Sequence, residues 1–229
     1  MSMAAARKAV RLGLVLLFVA TALVIAGIVA HAVWISSRTI FDLLQENRHL
    51  RAAIANLTAE SQIGYAKVLA QEIREGRMFT RVLFVETARD NPAQHILERE
   101  YEVEGDVVYF DALIVKFSTA YVMDGRERAL YLWRRIYGEK MAPEAGYPIE
   151  LPGTEPRRYA DLCRKLSLRE RRMFWSEIWN LANDPERLKA AGLTAVYGGA
   201  VYAQLRPGLI YAFKIGSTGT FYVEPALAP

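Results

Sequence analysis

An uncharged apolar run near the N-terminus constrains this chain more than any other feature of its sequence. Residues 12–34 contain no Asp, Glu, Lys or Arg over 23 positions and are rich in Leu, Val, Ala and Ile. A helix of that length would span about 35 Å, enough to cross about 30 Å of hydrocarbon. The pattern predicts an uncleaved transmembrane signal-anchor over residues 12–35. A cleaved signal peptide, suggested by the small residues Ala30 and Ala32, is the alternative.

The basic residues that flank this run predict its orientation. Three bases lie directly before it, and three more follow it at a greater distance. Since positive charge next to a membrane span is retained on the cytoplasmic side, residues 1–11 are expected to form a short cytoplasmic tail. The rest of the chain is then extracytoplasmic, in the periplasm or at the cell surface. The bases are Arg7, Lys8 and Arg11 before the run, and Arg38, Arg48 and Arg51 after it.

A second apolar pattern follows the run and has the spacing of a coiled coil. Apolar residues and one asparagine recur at alternating steps of three and four over residues 40–57, and most charges lie outside that seam. Good helix formers continue to Glu75, and Gly76 is a natural helix stop, so residues 36–76 are predicted to form a helical stalk. The alternative is an amphipathic helix that packs on its own domain. The predicted oligomerisation residues are Ile40, Leu43, Asn47, Leu50, Ile54 and Leu57.

Residues 77–229 are predicted to form one globular α+β domain with a mixed antiparallel sheet. Their 21 Lys and Arg nearly balance 20 Asp and Glu, so the bulk charge gives no reason to expect a nucleic-acid partner. β-Branched and aromatic residues predict strands at 79–86 and 106–117. Between these two strands, every second residue from Glu98 to Glu104 is a glutamate. This predicts a hairpin strand that has one solvated acidic face and turns at Gly105.

The second half of the domain is predicted to contain a helical insertion and to end in strands. Residues 128–137 fit a helix and a strand equally well, and the Pro- and Gly-rich residues 141–156 indicate a long loop. A capping box at Ser167 starts a helix to about residue 183, and a shorter helix begins at Pro185. Three alternating segments then predict a three-stranded antiparallel meander. They are residues 194–205, 209–215 and 220–223.

The sequence offers little catalytic machinery. The three histidines, His31, His49 and His95, are far apart, and no nucleophile elbow, P-loop, dinucleotide fingerprint or HExxH motif is present. The single cysteine, Cys163, excludes an intramolecular disulfide and a cysteine-based zinc site. We therefore expect no metal and no cofactor, and we identify no catalytic residue. An enzyme that relies on carboxylates alone stays open. Its candidate acids and bases are Asp106, Asp111, Asp124 and Glu127.

One local concentration of charge stands out in the domain. Seven bases fall within sixteen residues, relieved only by Asp161 and Glu170. Such a cluster is a candidate site for an anionic lipid, a cell-wall polymer or an acidic partner surface. The alternative is a solvated helix face that pairs with the acidic strand. The candidate anion-binding residues are Arg157, Arg158, Arg164, Lys165, Arg169, Arg171 and Arg172.

The order of short tail, membrane span, coiled coil and β-rich domain is similar to that of the rod-shape-determining and division-associated bitopic proteins of bacteria. The similarity is one of organisation and carries no motif, so no residue role is transferred from it. The expected function is a membrane-anchored, non-catalytic envelope scaffold or docking protein. It would form a homo-oligomer, or pair with a helical partner, through its stalk and bind a further partner with its domain. The alternative is an anchored carboxylate-dependent hydrolase that acts on an envelope polymer.

Overall fold

The computed structural model is built on two antiparallel β-sheets. The chain divides into two compact units, residues 1–51 and 52–229, and both sheets belong to the second unit. The structure describes residues 18, 20–28, 31, 45–89, 91–125, 128–159, 168–178, 184–190 and 193–227.

The described part of the chain contains nine strands, helical residues at 18, 20–28 and 31, and the four helices numbered below. The strands are β1 (Glu60–Arg74), β2 (Arg77–Ala88), β3 (Asn91–Glu104), β4 (Val107–Phe117), β5 (Leu130–Gly138), β6 (Tyr147–Pro148), β7 (Leu193–Gln204), β8 (Leu209–Gly216) and β9 (Phe221–Leu227). The helices are α1, described over residues 45–58, α2 (Thr119–Met123), α3 (Leu168–Ile178) and α4 (Pro185–Ala190). Two 3-10 turns are at Pro143–Ala145 and Arg157–Tyr159. The strand order is β3-β2-β1-β8-β9 in the first sheet and β6-β5-β4-β7 in the second.

Strand β4 lies at the centre of the fold and is buried on both of its faces. One face carries Phe110 and Ile114, which pack with Phe213 of the first sheet in the larger hydrophobic core. The opposite face carries Leu113, which packs in a second core with Trp175 of α3. A strand that is covered on both faces reads as an almost continuous apolar run, which is the pattern of β4.

The hairpin of β1 and β2 replaces most of the second half of the predicted stalk. Residues 60–74 form a strand, so the predicted helix over residues 36–76 is wrong from residue 60 onward. Glu75 and Gly76 have φ angles of 52° and 76°, and they form a two-residue turn that pairs the neighbouring residues. Ala66 and Val68 alternate into the core, and that burial overrides the helix propensity of the segment.

Both predictions that required a long helix are contradicted. The helical residues described for α1 number 14 before the chain turns into β1, so no described helix provides the predicted coiled-coil stalk. Among the described residues, none of the helices is both long enough and apolar enough to cross a membrane. This finding contradicts the single-pass anchor predicted over residues 12–35, and with it the extracytoplasmic location. The predicted tail, residues 1–11, lies outside the described residues.

The predicted α+β class is also wrong, because the described fold is mostly two antiparallel sheets with a few short helices, of which α3 and α4 pack on the outer face of β4. The predicted C-terminal meander is wrong as well, since β7 pairs with β4 and only β8 pairs with β9. The predicted hairpin at Gly105 is wrong too, because β3 pairs with β2 and the chain passes there to the second sheet. The strands predicted at 79–86 and 106–117 are confirmed, as are helices at α3 and α4.

Candidate functional site

A cavity of about 690 Å³ lies where β2 turns into β3, against β5 and the 3-10 turn Arg157–Tyr159. Four basic side chains line it, and no carboxylate of a described residue does. A cavity lined in this way is suited to an anionic group. We call it the basic cleft. Its basic and tyrosine residues are Arg89, His95, Tyr131, Arg157, Arg158 and Tyr159.

The guanidinium of Arg158 is held by two carboxylates in the interior of the domain. Its Nη1 lies 2.8 Å from Glu86 Oε1 and 2.6 Å from Glu150 Oε1. Its Nη2 donates to Glu150 Oε2 at 3.0 Å and to the backbone oxygen of Tyr131 at 2.6 Å. The side chain of Arg158 is 6% exposed and that of Glu86 is 1% exposed. We call Glu86, Glu150 and Arg158 the buried triad.

Two tyrosine rings fix the same guanidinium from its faces. The carbon Cζ of Arg158 lies 4.3 Å from the ring centroid of Tyr131 and 4.8 Å from that of Tyr159. The Tyr159 hydroxyl accepts from the backbone N–H of Tyr131 at 2.9 Å and donates to its carbonyl at 3.1 Å. The 3-10 turn is therefore tied to β5, and Arg158 has little freedom to move.

The carboxyl group of Glu86 has a strongly perturbed pKa. Burial raises the pKa of Glu86 from 4.5 to about 7, since the ionised form loses its hydration. The positive charge of Arg158 lowers the pKa of Glu86, and the negative charge of Glu150 raises it further. The Tyr131 hydroxyl, which donates to Glu86 Oε1 at 3.1 Å, also lowers this pKa. Glu86 consequently changes its charge close to neutral pH.

A second cavity of about 310 Å³ lies beside the basic cleft. It shares Ile96, Arg157 and Arg158 with the cleft. Glu86 and Glu150 line the second cavity and not the first. Arg158 thus lines both cavities, and its two carboxylate partners line only the second.

The remaining bases of the basic cleft are placed by contacts of their own. Arg89 Nη2 donates to the Ala129 carbonyl at 2.6 Å, and its Cζ lies 5.6 Å from the Tyr131 ring centroid. The Nδ1 atom of His95 lies 3.4 Å from Glu98 Oε2. Arg157 is exposed at the start of its 3-10 turn. Neither Arg89 nor Arg157 pairs with a carboxylate of any described residue.

The predicted anion-binding cluster is divided by the structure. Arg157 lines the basic cleft, whereas Arg158 is occupied by Glu86 and Glu150. Arg169 and Arg172 are exposed on α3 and line none of the cavities described above. The side chain of Arg171 and all of Arg164 and Lys165 lie outside the described residues. Among the described residues no ion pair joins the acidic strand β3 to this cluster, and Glu102 of β3 binds Arg74 at 2.7 Å.

The predicted oligomerisation residues lie on α1 as far as they are described. Asn47, Leu50 and Ile54 are exposed, and Leu57 is half-buried, while Ile40 and Leu43 lie outside the described residues.

The opposite face of α1 packs on the domain. Ala53 is 8% exposed, and Asn56 Nδ2 donates to the carbonyl of Met123 at 2.9 Å. This contact matches the alternative of a helix packed on its own domain. Self-association stays a prediction.

Sequence reasoning missed Glu86, Glu150, Arg89, His95 and Tyr131 as site residues. The sequence contained one signal for the burial of Glu86. This residue follows the apolar residues 82–85 within a strand, and a charged residue at that position faces the interior unless the register shifts. The partners of Glu86 come from β5 and from the irregular residues 149–159, and no periodicity relates those segments.

Three of the four candidate acids, Asp106, Asp111 and Asp124, do not line the basic cleft, and Glu127 lies outside the described residues. Asp106 accepts from Gln204 at 2.8 Å, and Asp111 lies 3.5 Å from Arg134, so neither lines the basic cleft. Among the described residues, no group of three or more His, Cys, Asp or Glu is placed to hold a metal ion. Comparison with protein-family models, curated proteins and solved structures finds no match to the chain.

Proposed function

We propose that the β domain is a non-catalytic docking module that takes an anionic group of its partner or ligand into the basic cleft. One observation carries the proposal. Arg89 and Arg157 line a cavity of about 690 Å³ that has no described carboxylate in its wall, and neither guanidinium is neutralised by a described residue. An anionic group that enters would receive charge-assisted hydrogen bonds without displacing an existing ion pair.

The lining of the basic cleft also supports binding in place of catalysis. The residues nearest to a bound group would be guanidinium groups, the phenols of Tyr131 and Tyr159, and the amides of Asn91 and Gln94. The guanidinium groups and the amides donate hydrogen bonds and fix an orientation, whereas each phenol already donates its proton within the domain. No nucleophile paired with a general base is among the described residues of the cleft.

The proposal is tested by titrating the full chain with inorganic sulfate and with benzenesulfonate, following chemical shifts or heat. Arg89→Gln and Arg157→Gln should each weaken binding about ten- to a hundredfold, because each removes a charged hydrogen bond worth about 1.5 to 3 kcal/mol. The matched control is Arg172→Gln, which removes the same single charge from an exposed residue of α3. No binding by the unaltered chain, or an equal loss in the control, would overturn the proposal.

A second candidate function is a carboxylate-dependent hydrolase, and the pair Glu86 and Glu150 favours it. The two carboxylates bind the same nitrogen of Arg158, and the pKa of Glu86 is raised to about 7, as a general acid requires. A substrate would have little access to this carboxyl group, since the Glu86 side chain is 1% exposed. Turnover of nitrophenyl glycosides or esters that is abolished by Glu86→Gln would establish this activity and displace the docking proposal.

A further inference from the structure

Arg158 lines both the basic cleft and the second cavity. The second cavity also has Glu86 and Glu150 in its wall, whereas no carboxylate of a described residue lines the basic cleft. Because the two carboxylates bind Arg158 at 2.8 Å and 2.6 Å, its positive charge is shared between them and whatever enters the basic cleft. Any change in the charge of the carboxylates therefore alters the attraction that the cleft exerts on an anion.

The charged and titratable groups around Glu86 come from four segments. The 3-10 turn supplies Arg158, the residues after β6 supply Glu150, and β5 supplies the hydroxyl of Tyr131. Arg99 of β3, Glu155 and Arg157 complete the charged wall of the second cavity. On β1 the residue opposite Glu86 is Gly64, which brings no charge. With Glu86 ionised, the buried triad has one positive and two negative charges.

We propose that Glu86 is the group through which anion binding in the basic cleft is coupled to proton uptake. The proposal rests on the docking function argued above and adds its regulation. The added proton comes from solvent and is carried by the Glu86 carboxyl group. Oε1 already accepts from Arg158 Nη1 and from the Tyr131 hydroxyl, so Oε2 is the oxygen that receives it. The net charge of the buried triad then changes from minus one to zero.

The direction of the coupling follows from linkage. An anion in the cleft is repelled by ionised Glu86 and not by neutral Glu86, so the bound state favours the protonated carboxyl group. Since burial already places the pKa of Glu86 at about 7, the change of charge falls in the range where binding can be measured. Binding should be several-fold tighter at pH 6 than at pH 8, with uptake of up to one proton for each anion bound.

The experiment titrates the full chain with inorganic sulfate, whose charge is constant between pH 6 and pH 8. Calorimetry in two buffers of different ionisation enthalpy gives the number of protons taken up. The unaltered chain should bind several-fold more tightly at pH 6, and Glu86→Gln should bind with little dependence on pH. His95→Gln should retain the pH dependence, which excludes the imidazole in the cleft as the group that takes up the proton.

A second variant keeps the test decisive if Glu86→Gln fails to fold. Glu150→Gln removes the negative charge that raises the pKa of Glu86, so the pH dependence should move to lower pH. Sulfate binding that is independent of pH, or that keeps its pH dependence in Glu86→Gln, would overturn the coupling and leave the docking function standing. No sulfate binding at either pH would overturn both.

Discussion

The phenol ring of Tyr159 stacks on the indole of Trp175, with centroids 5.7 Å apart and ring planes 14° apart. Tyr159 lines the basic cleft, whereas Trp175 is fully buried in the core between α3 and the second sheet. This stack is a direct contact between α3 and the turn that holds Arg158. The packing of α3 therefore determines how firmly the wall of the cleft is held.

Replacement of Trp175 should separate the effect of ring stacking from that of the indole N–H. Trp175→Ala should lower the free energy of unfolding by about 3 to 5 kcal/mol, because it leaves a large cavity behind Tyr159. Trp175→Phe should cost much less, since it keeps a ring and removes an Nε1 donor that finds no partner among the described residues. Urea denaturation measures both. Equal losses in the two variants would contradict a role for the stacked ring.

The raised pKa of Glu86 should make folding stability depend on pH. Its pKa is about 7 in the folded chain and 4.5 in the reference state, so the folded chain binds more protons between those values. The free energy of unfolding should therefore fall as pH rises from about 4.5 to about 7, by up to about 3 kcal/mol. Glu86→Gln should lack this component. Urea denaturation of both chains at pH 5.5 and pH 8 gives the change in the free energy of unfolding between the two pH values. An equal change in the unaltered chain and in Glu86→Gln would contradict the assignment.

Parts of the fold could be predicted because local sequence and tertiary environment agree. The apolar run of β4 and the capping pattern before α3 each have one structural reading. β1 could not be predicted, since Ala66, Leu69 and Gln71 favour a helix and only pairing with β2 and β8 makes the segment a strand. The turn Glu75–Gly76 was mistaken for a helix end because Gly serves both.

The candidate site was less predictable than the fold. Arg157 was identified from local charge. The neighbouring Arg158 is not a free anion-binding base, because its side chain extends from the 3-10 turn into the interior and binds Glu86 there. Glu86 and Glu150 are ordinary acids in the sequence. Their pairing with one guanidinium arises only when β2, the residues after β6 and the 3-10 turn meet, and no short-range pattern encodes that meeting.

Two glycines of the first sheet should respond differently to an added methyl group. In Gly64→Ala the new Cβ would meet the carbonyl oxygen of Val85 and lie 3.2 Å from Glu86 Cα, so the backbone of β2 would have to move. We expect a loss of about 1 to 3 kcal/mol in the free energy of unfolding. Gly216→Ala is the matched control, because its nearest neighbour, Thr220 Cβ, is 3.7 Å away. Similar losses in both variants would contradict the close approach.

Two ion pairs of equal length should differ in their effect on stability because one is buried. Arg158 lies 2.8 Å from Glu86 with side chains 6% and 1% exposed, and Arg187 lies 2.8 Å from Glu177 with side chains 56% and 43% exposed. Arg158→Met leaves two carboxylates without their cation and should cost about 3 to 5 kcal/mol at pH 8. Arg187→Met should change the free energy of unfolding by less than about 1 kcal/mol.

The origin of the larger loss can be identified by repeating the measurement under two further conditions. At pH 5.5 the loss from Arg158→Met should shrink, because protonation of Glu86 removes one of the uncompensated charges. Adding Glu86→Gln to Arg158→Met should recover part of the stability at pH 8, since it removes the same charge by mutation. A loss that is equal at both pH values and is not reduced by Glu86→Gln would show that Arg158 stabilises the domain through its packing between Tyr131 and Tyr159.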